Sequence, residues 1–107
     1  VGTVLIYITA SGEEEARTLG RRLVEQRLAA CVNVVPRIYS TYWWEGKLVE
    51  DEEALLLVKT TRAMADRVIA AVKEMHSYEV PAVLVLDVAA GHRAFLDWVA
   101  AEVGDCG

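Results

Sequence analysis

A chain of 107 residues that is 54% hydrophobic and 25% charged is expected to form one domain over residues 1–107, with core enough to need no staples. Its formal net charge of −5, with eleven Lys and Arg scattered along the chain, excludes a phosphate-backbone binder, so no nucleic-acid partner is expected. No apolar run nears the roughly 18 residues that cross a bilayer, no signal-peptide layout opens the chain, and Cys31 and Cys106 lack disulfide or zinc-finger spacing; a cytoplasmic, reducing setting without a membrane partner is expected.

Val4-Leu5-Ile6-Tyr7-Ile8 is a short, β-branched apolar run and predicts a strand covered on both faces. Ser11-Gly12-Glu13-Glu14 matches a capping box, with Ser11 as N-cap and Glu14 reaching back. Glu13, Glu14 and Glu15 also suit the positive end of a helix dipole. Ala16, Leu19, Gly20, Leu23, Val24 and Leu28 then recur at helical spacing, opposite Arg17, Arg21, Arg22 and Glu25.

From Ala29 to Thr60 the pattern becomes a long hairpin. Val, Ile, Tyr, Trp and Thr dominate the outgoing arm, Glu45-Gly46-Lys47 is the turn, and the return arm ends Leu55-Leu56-Leu57-Val58-Lys59-Thr60. An arm of about 14 residues spans roughly 45 Å, against a usual strand of about 5–6 residues. Pro36 cannot donate to a sheet ladder and predicts a bulge or bend. Glu50-Asp51-Glu52-Glu53 reads as a solvated segment or an irregular stretch of edge, since four packed carboxylates would repel; a hard-cation site is the lesser reading.

Thr60 or Thr61 is the expected N-cap of a second helix, which carries Met64, Val68, Ala71, Val72 and Met75 on one face. It should end near His76-Ser77, ahead of Pro81. Ala82 to Val88 is the last strong strand, apolar on both faces, and Ala89-Ala90-Gly91 is a turn. Phe95, Leu96, Trp98, Val99 and Val103 mark a short terminal helix, fraying from Gly104 to Gly107.

This order describes an α+β fold, a ferredoxin-like antiparallel sandwich (βαββαβ plus a C-terminal helix) with a long central β-hairpin. Both main helices then cover one face of the sheet. The other face and the hairpin tip still need cover, and further copies of the chain are the economical source. Pattern alone implies an oligomer without giving its number.

Leu23-Val24-Glu25 through Ala29-Ala30-Cys31-Val32-Asn33-Val34-Val35-Pro36 resembles the CutA divalent-cation tolerance family. The resemblance continues through Ser40, Tyr42 and Trp44-Glu45-Gly46-Lys47, then Glu53 with Leu56-Leu57-Val58-Lys59-Thr60. It resumes at His76-Ser77-Tyr78-Glu79-Val80-Pro81, and at Gly91 with Leu96 and Trp98. The family pattern is His-Pro-Tyr-Glu; Ser77 stands here in place of the proline, which predicts a less rigid loop. The resemblance implies a PII-like homotrimer whose long hairpins pair between neighbours. It also implies a non-enzymatic role in tolerance to copper and other divalent metals.

On the same resemblance, Cys31, His76 and Glu79 are the candidate metal ligands, with copper or another divalent ion as the cofactor and none obligatory. Thiolate and imidazole suit copper and zinc, and Cys31 and His76 are expected to meet across a subunit boundary. The bland readings are a buried small Cys and a His favoured at a helix C-terminus. His92 and Cys106 are weaker candidates. Lys59, Tyr78, Tyr42 and Trp44, with Glu79, are expected at an inter-subunit cleft or interface. There the alternative function would operate: a PII-like signalling or scaffold module taking a small, anionic ligand or a protein partner. The bland reading pairs Lys59 with an acidic neighbour and packs Tyr78 at the trimer contact. No nucleophile elbow, phosphate loop or two-histidine zinc motif is present, so no enzyme is expected.

Overall fold

Burial alternates residue by residue along β1 (Thr3–Ala10): Val4, Ile6, Ile8 and Ala10 are fully buried, while Leu5, Tyr7 and Thr9 are only partly covered. The period of two follows from the pleat. It corrects the expected two-sided cover, because within one chain only one face of this strand is closed. The structure is a computed structural model that describes residues 2–104; Cys106 and the tail beyond Gly104 lie outside the described residues.

After β1 come α1 (Glu13–Glu25), β2 (Cys31–Trp44), β3 (Lys47–Thr61), a 3-10 turn over Arg62–Met64, α2 (Ala65–Met75), β4 (Val83–Asp87) and α3 (Arg93–Glu102). The four strands form one antiparallel sheet in the order β2-β3-β1-β4, the expected ferredoxin-like topology. Leu19 and Leu23 of α1 and Val68 and Val72 of α2 share a core with Val4, Ile6, Ile8, Leu56 and Val58. Both helices therefore cover the same face. Gly20 permits the close approach of α1: a Cβ there would lie 2.8 Å from Val32 Cγ2 and 3.1 Å from Leu56 Cδ1.

Both ends of α1 are closed by backbone geometry. Gly12 is the N-cap and makes no side-chain capping bond, so the expected Ser11–Glu14 box is corrected. Glu15, one residue further along, accepts the Ser11 N–H at 2.9 Å. At the other end Arg27 adopts φ 61°, its N–H bonding Val24 O and the Leu28 N–H bonding Leu23 O, the paired bonds of a Schellman stop.

The hairpin sets the long axis, 46 Å of a 46 × 26 × 21 Å body. Glu45 and Gly46 both have positive φ, 50° and 79°, as a two-residue type I′ turn requires. Register slips between Val35 and Ile38, where Pro36 and Arg37 together face the single residue Ala54, so proline sits in the expected bulge. Pairing of β3 with β1 ends at Ala54. Beyond it, residues 38–53 project as a two-stranded ribbon, a form of marginal stability by itself. Tyr39, Trp43 and Leu48 are 76%, 73% and 58% exposed on that ribbon.

Three further expectations change. The acidic run is regular strand, with Glu50, Asp51 and Glu52 exposed but Glu53 buried. Thr60 does not cap a helix; its hydroxyl donates to Leu28 O at 2.7 Å. Thr61 precedes only the 3-10 turn, without a side-chain cap. Nor is β4 closed on both faces: Leu84 and Leu86, which stand opposite Tyr7 and Leu5, are largely exposed. At the C-terminal end α3 packs against β3 and β1 and buries Val99.

Candidate functional site

The loop after α2 meets the base of the ribbon, and four side chains fix that junction. His76 ends α2 with its side chain fully buried. Its Nε2 lies 2.7 Å from Thr9 O, and a carbonyl only accepts, so Nε2 carries the hydrogen. Nδ1 in turn accepts the Tyr78 N–H at 3.0 Å. Both ring nitrogens are therefore committed. The Tyr78 ring lies beside the imidazole, centroids 4.7 Å apart, and its hydroxyl donates to Glu53 Oε2 at 2.8 Å.

Glu15 buttresses the junction from α1. Its Oε1 accepts the Ser11 N–H and its Oε2 the Ser77 N–H at 2.8 Å. Burial alone would raise its pKa, yet these donors hold Glu15 down at about 2. Ser77, the departure from the proline pattern, thus supplies a donor that proline lacks. Burial, then the hydrogen bond to Glu53 and the charges of Glu53 and Asp51, push the Tyr78 phenol well above the usual tyrosine range. Desolvation, followed by the same two carboxylates, raises Tyr42 as well.

A cleft of about 570 Å³ opens between the ribbon and residues 78–82. Alternation along β2 brings Ser40, Tyr42 and Trp44 to one side of the ribbon, and Asp51 and Glu53 reach the same side from β3. Tyr78, Glu79 and Thr9 complete the wall. Four predicted residues, Tyr42, Trp44, Tyr78 and Glu79, are thus gathered in one place. Asp51, Glu53 and Glu79 are its charged lining, with no Lys or Arg among them. Within one chain, then, Lys59 does not join Tyr78 and Glu79 at this cleft.

Lys59 and Cys31 stand elsewhere. They face each other across β3 and β2, and Lys59 is six residues, roughly 20 Å of strand, from Glu53. The Lys59 ammonium donates to Asn33 Oδ1, an amide in place of the acidic neighbour expected. Cys31 is half-buried, on the sheet face turned away from α1 and α2. Strand register separates Cys31 from His76. Lys59 pairs with Leu5, whereas His76 binds at Thr9, roughly 13 Å further along the strands and two strand spacings across. Among the described residues no three His, Cys, Asp or Glu side chains gather where one ion could be held. Within one chain, then, the metal candidates do not form a site. His92 is exposed and precedes α3.

Sequence reasoning missed Glu53, Glu15 and Thr9. A signal for Glu53 existed: at strand period it shares a face with Leu55, Leu57 and Lys59, so the acidic run is two alternating pairs. Thr9 and Glu15 act through a carbonyl and a tertiary contact, which no local pattern carries.

A sequence model of the family described as CutA1 divalent ion tolerance protein matches residues 4–102. The divalent-cation tolerance protein CutA of Thermus thermophilus is 48% identical over 94% of this chain and 97% of its own length. The CutA protein of Archaeoglobus fulgidus is 45% identical over 88% and 91%. The chain spans about half the length of the plant and mammalian curated relatives it matches. Among solved structures, CutA1 from Oryza sativa superposes with a TM-score of 0.95 at 37% identity, covering 98% of this chain and 96% of its own. The Thermus thermophilus structure gives 0.92 at 47% identity, over 95% and 99%. Relatives carry the labels chloroplastic and periplasmic, and no helix among the described residues is long and apolar enough to cross a membrane.

Proposed function

Because this chain belongs to the CutA1 divalent ion tolerance family, we propose that it contributes to divalent-cation tolerance as a homotrimer that binds copper or a similar metal ion and catalyses no reaction. One observation carries the assembly: the sheet face turned away from α1 and α2 bears Leu84 and Leu86, and the ribbon bears Trp43 and Leu48, all more than 45% exposed. Apolar surface of this kind marks an interaction site, and identical copies are the simplest occupant. Residues 1–107 then act as one unit, in the cytoplasmic setting expected from the cysteine pattern.

The metal belongs at a subunit boundary on this reading. Cys31 lies on the uncovered sheet face, where a neighbour can bring the ligands that one chain does not assemble. Glu79 is exposed and able to join it. His76 joins only by exchanging one of its two hydrogen bonds for the ion. Cys31 is therefore the stronger ligand of the two, since thiolates suit copper and zinc without that exchange. Isothermal titration of protein purified without chelator or His-tag tests this, using copper and zinc on wild type, Cys31→Ser and His76→Ala. A large loss of affinity in Cys31→Ser supports the reading. Unchanged stoichiometry and affinity in both variants would remove these residues as ligands.

A further inference from the structure

We propose that the ribbon is hinged to the body of the chain at Ala54, and that a hydrogen-bond chain through His76 and Tyr78 locks its angle. Two interruptions of the sheet coincide at that residue. On β3, Ala54 is the last residue paired with β1, through Ala10. On β2, Pro36 and Arg37 bulge opposite the same Ala54, between the pairs Val35–Leu55 and Ile38–Glu53. A bulge bends its strand and disrupts the ladder, and past this point no third strand stiffens the pair. Bending is concentrated here.

The lock crosses that hinge. Its body end is anchored twice: His76 Nε2–H donates to Thr9 O on β1 at 2.7 Å, and the Ser77 N–H donates to Glu15 on α1 at 2.8 Å. The Tyr78 N–H then donates to His76 Nδ1 at 3.0 Å, and the two rings pack with centroids 4.7 Å apart, which fixes the direction of the phenol. Its hydroxyl closes the chain on Glu53 Oε2 at 2.8 Å. Glu53 is the first β3 residue beyond the β1 pairing. The lock therefore takes hold of the ribbon one residue past the point where the sheet releases it. Among the described residues this is the one hydrogen bond that ties residues 38–53 to anything outside the hairpin.

Burial makes the chain stiff. The His76 side chain is fully buried and Glu53 is 7% exposed, so releasing the ribbon strands a nearly buried carboxylate without its donor. The lock uses neither an ion nor a neighbouring copy and stands apart from the metal and assembly readings. It presents the ribbon at one angle before copies meet, which lowers the ordering cost of any association the ribbon enters.

Pulsed spin-resonance distances between nitroxides on Arg21→Cys in α1 and Lys47→Cys beside the ribbon turn test the lock. The parent carries Cys31→Ser and Cys106→Ser, the buffer contains EDTA, and labelled chains are co-refolded with excess unlabelled protein so that only distances within one chain are read. One narrow distance is expected in the parent. Tyr78→Phe, which keeps the ring beside His76 and removes only the hydroxyl, should broaden the distribution about twofold or more. His76→Ala should broaden it likewise; if that variant does not fold, Tyr78→Phe decides alone. Glu53→Gln keeps an oxygen that accepts from the hydroxyl and should stay close to the parent width. An unchanged width in Tyr78→Phe, even with a lowered thermal midpoint, would overturn the lock and leave Tyr78 an ordinary packing residue. A parent distribution as broad as that of Tyr78→Phe would overturn it too.

Discussion

The Ser77 N–H donates to Glu15 Oε2 at 2.8 Å, tying the loop after α2 to the first turn of α1. With the Ser11 N–H on Oε1, both oxygens of Glu15 are engaged by backbone donors. Its folded value of about 2 lies below its ordinary 4.5. For a depressed carboxylate the sign is fixed: its stabilising contribution is complete above about pH 4.5, shrinks as pH falls toward 2, and is gone below that. Glu15→Gln keeps one acceptor and sets an amide N–H₂ against the other donor. It should lose about 1.5–3 kcal/mol near neutral pH, the range for hydrogen bonds to charged groups. Urea denaturation between pH 2 and 7 should show the variant and wild-type curves converging at the acid end; parallel curves throughout would exclude this role. Ser77→Pro suits the extended φ −75°, ψ 143° of His76 but removes the N–H. The Glu15 resonance should then titrate closer to 4.5 than to 2 in carboxyl-detected NMR.

Tyr78 and Glu53 form the second strut of the same junction. Tyr78→Phe leaves Glu53 nearly buried with neither oxygen bonded by the protein. A loss of about 1–3 kcal/mol follows from the unsatisfied acceptor, measurable by chemical denaturation. The raised phenol gives an independent check at alkaline pH. An unfolded tyrosine ionises near 10 while Tyr78 holds its proton further, so stability falls as pH rises above about 10. Phenolate absorbance in the folded protein should show Tyr78 and Tyr42 titrating later than the rest, and the late component should lose one tyrosine in Tyr78→Phe.

Much of this architecture is legible in the residues. β-branched runs, a Glu-Gly turn and Pro36 were sufficient for the long hairpin and its bulge, because strand period, turn chemistry and a missing donor are local properties. Capping was less readable. Ser11 and Thr60 have the right side chains for caps, but Ser11 is bonded through its backbone and Thr60 is claimed by the Leu28 carbonyl, a partner 32 residues away. The cleft was half visible: aromatic residues at positions 42, 44 and 78 stand out, whereas its charge depends on register. Placing Lys59 opposite Cys31, and Glu53 under Tyr78, requires knowing where β3 pairs. His76 illustrates the same limit, since its two bonds come from Thr9 and Tyr78 and neither follows from helix position.

Gly20 marks the tightest approach between α1 and the sheet. An alanine there improves helix propensity by about 1 kcal/mol, but its Cβ would press on Val32 Cγ2 at 2.8 Å and Leu56 Cδ1 at 3.1 Å. Overpacking of this kind costs about 1–3 kcal/mol. Crowding should win, because Val32 is β-branched with a stiff χ1 and Leu56 is fully buried. Gly20→Ala is expected to unfold at lower urea with unchanged slope; a raised midpoint would mean that the two strands shift to make room.

The ribbon carries the final prediction. Trp43 and Leu48 are directly opposed across β2 and β3, on the ribbon face away from the cleft, and both are largely exposed in one chain. Two strands without further cover are marginal in water, yet here they extend past the last residue paired with β1. An assembly that covers them explains both facts. Sedimentation equilibrium at micromolar concentration should therefore give about three times the 11.8 kDa chain mass. Trp43→Ser combined with Leu48→Ser should shift the protein toward smaller species and lower its thermal midpoint, leaving α1, α2 and their core intact. If wild type is monomeric, the ribbon is not a trimerisation element; if the double variant keeps full mass and stability, the contact lies on the β4 face instead. Substituting Leu84 and Leu86 by serine tests that location directly, since both are large apolar residues exposed on β4.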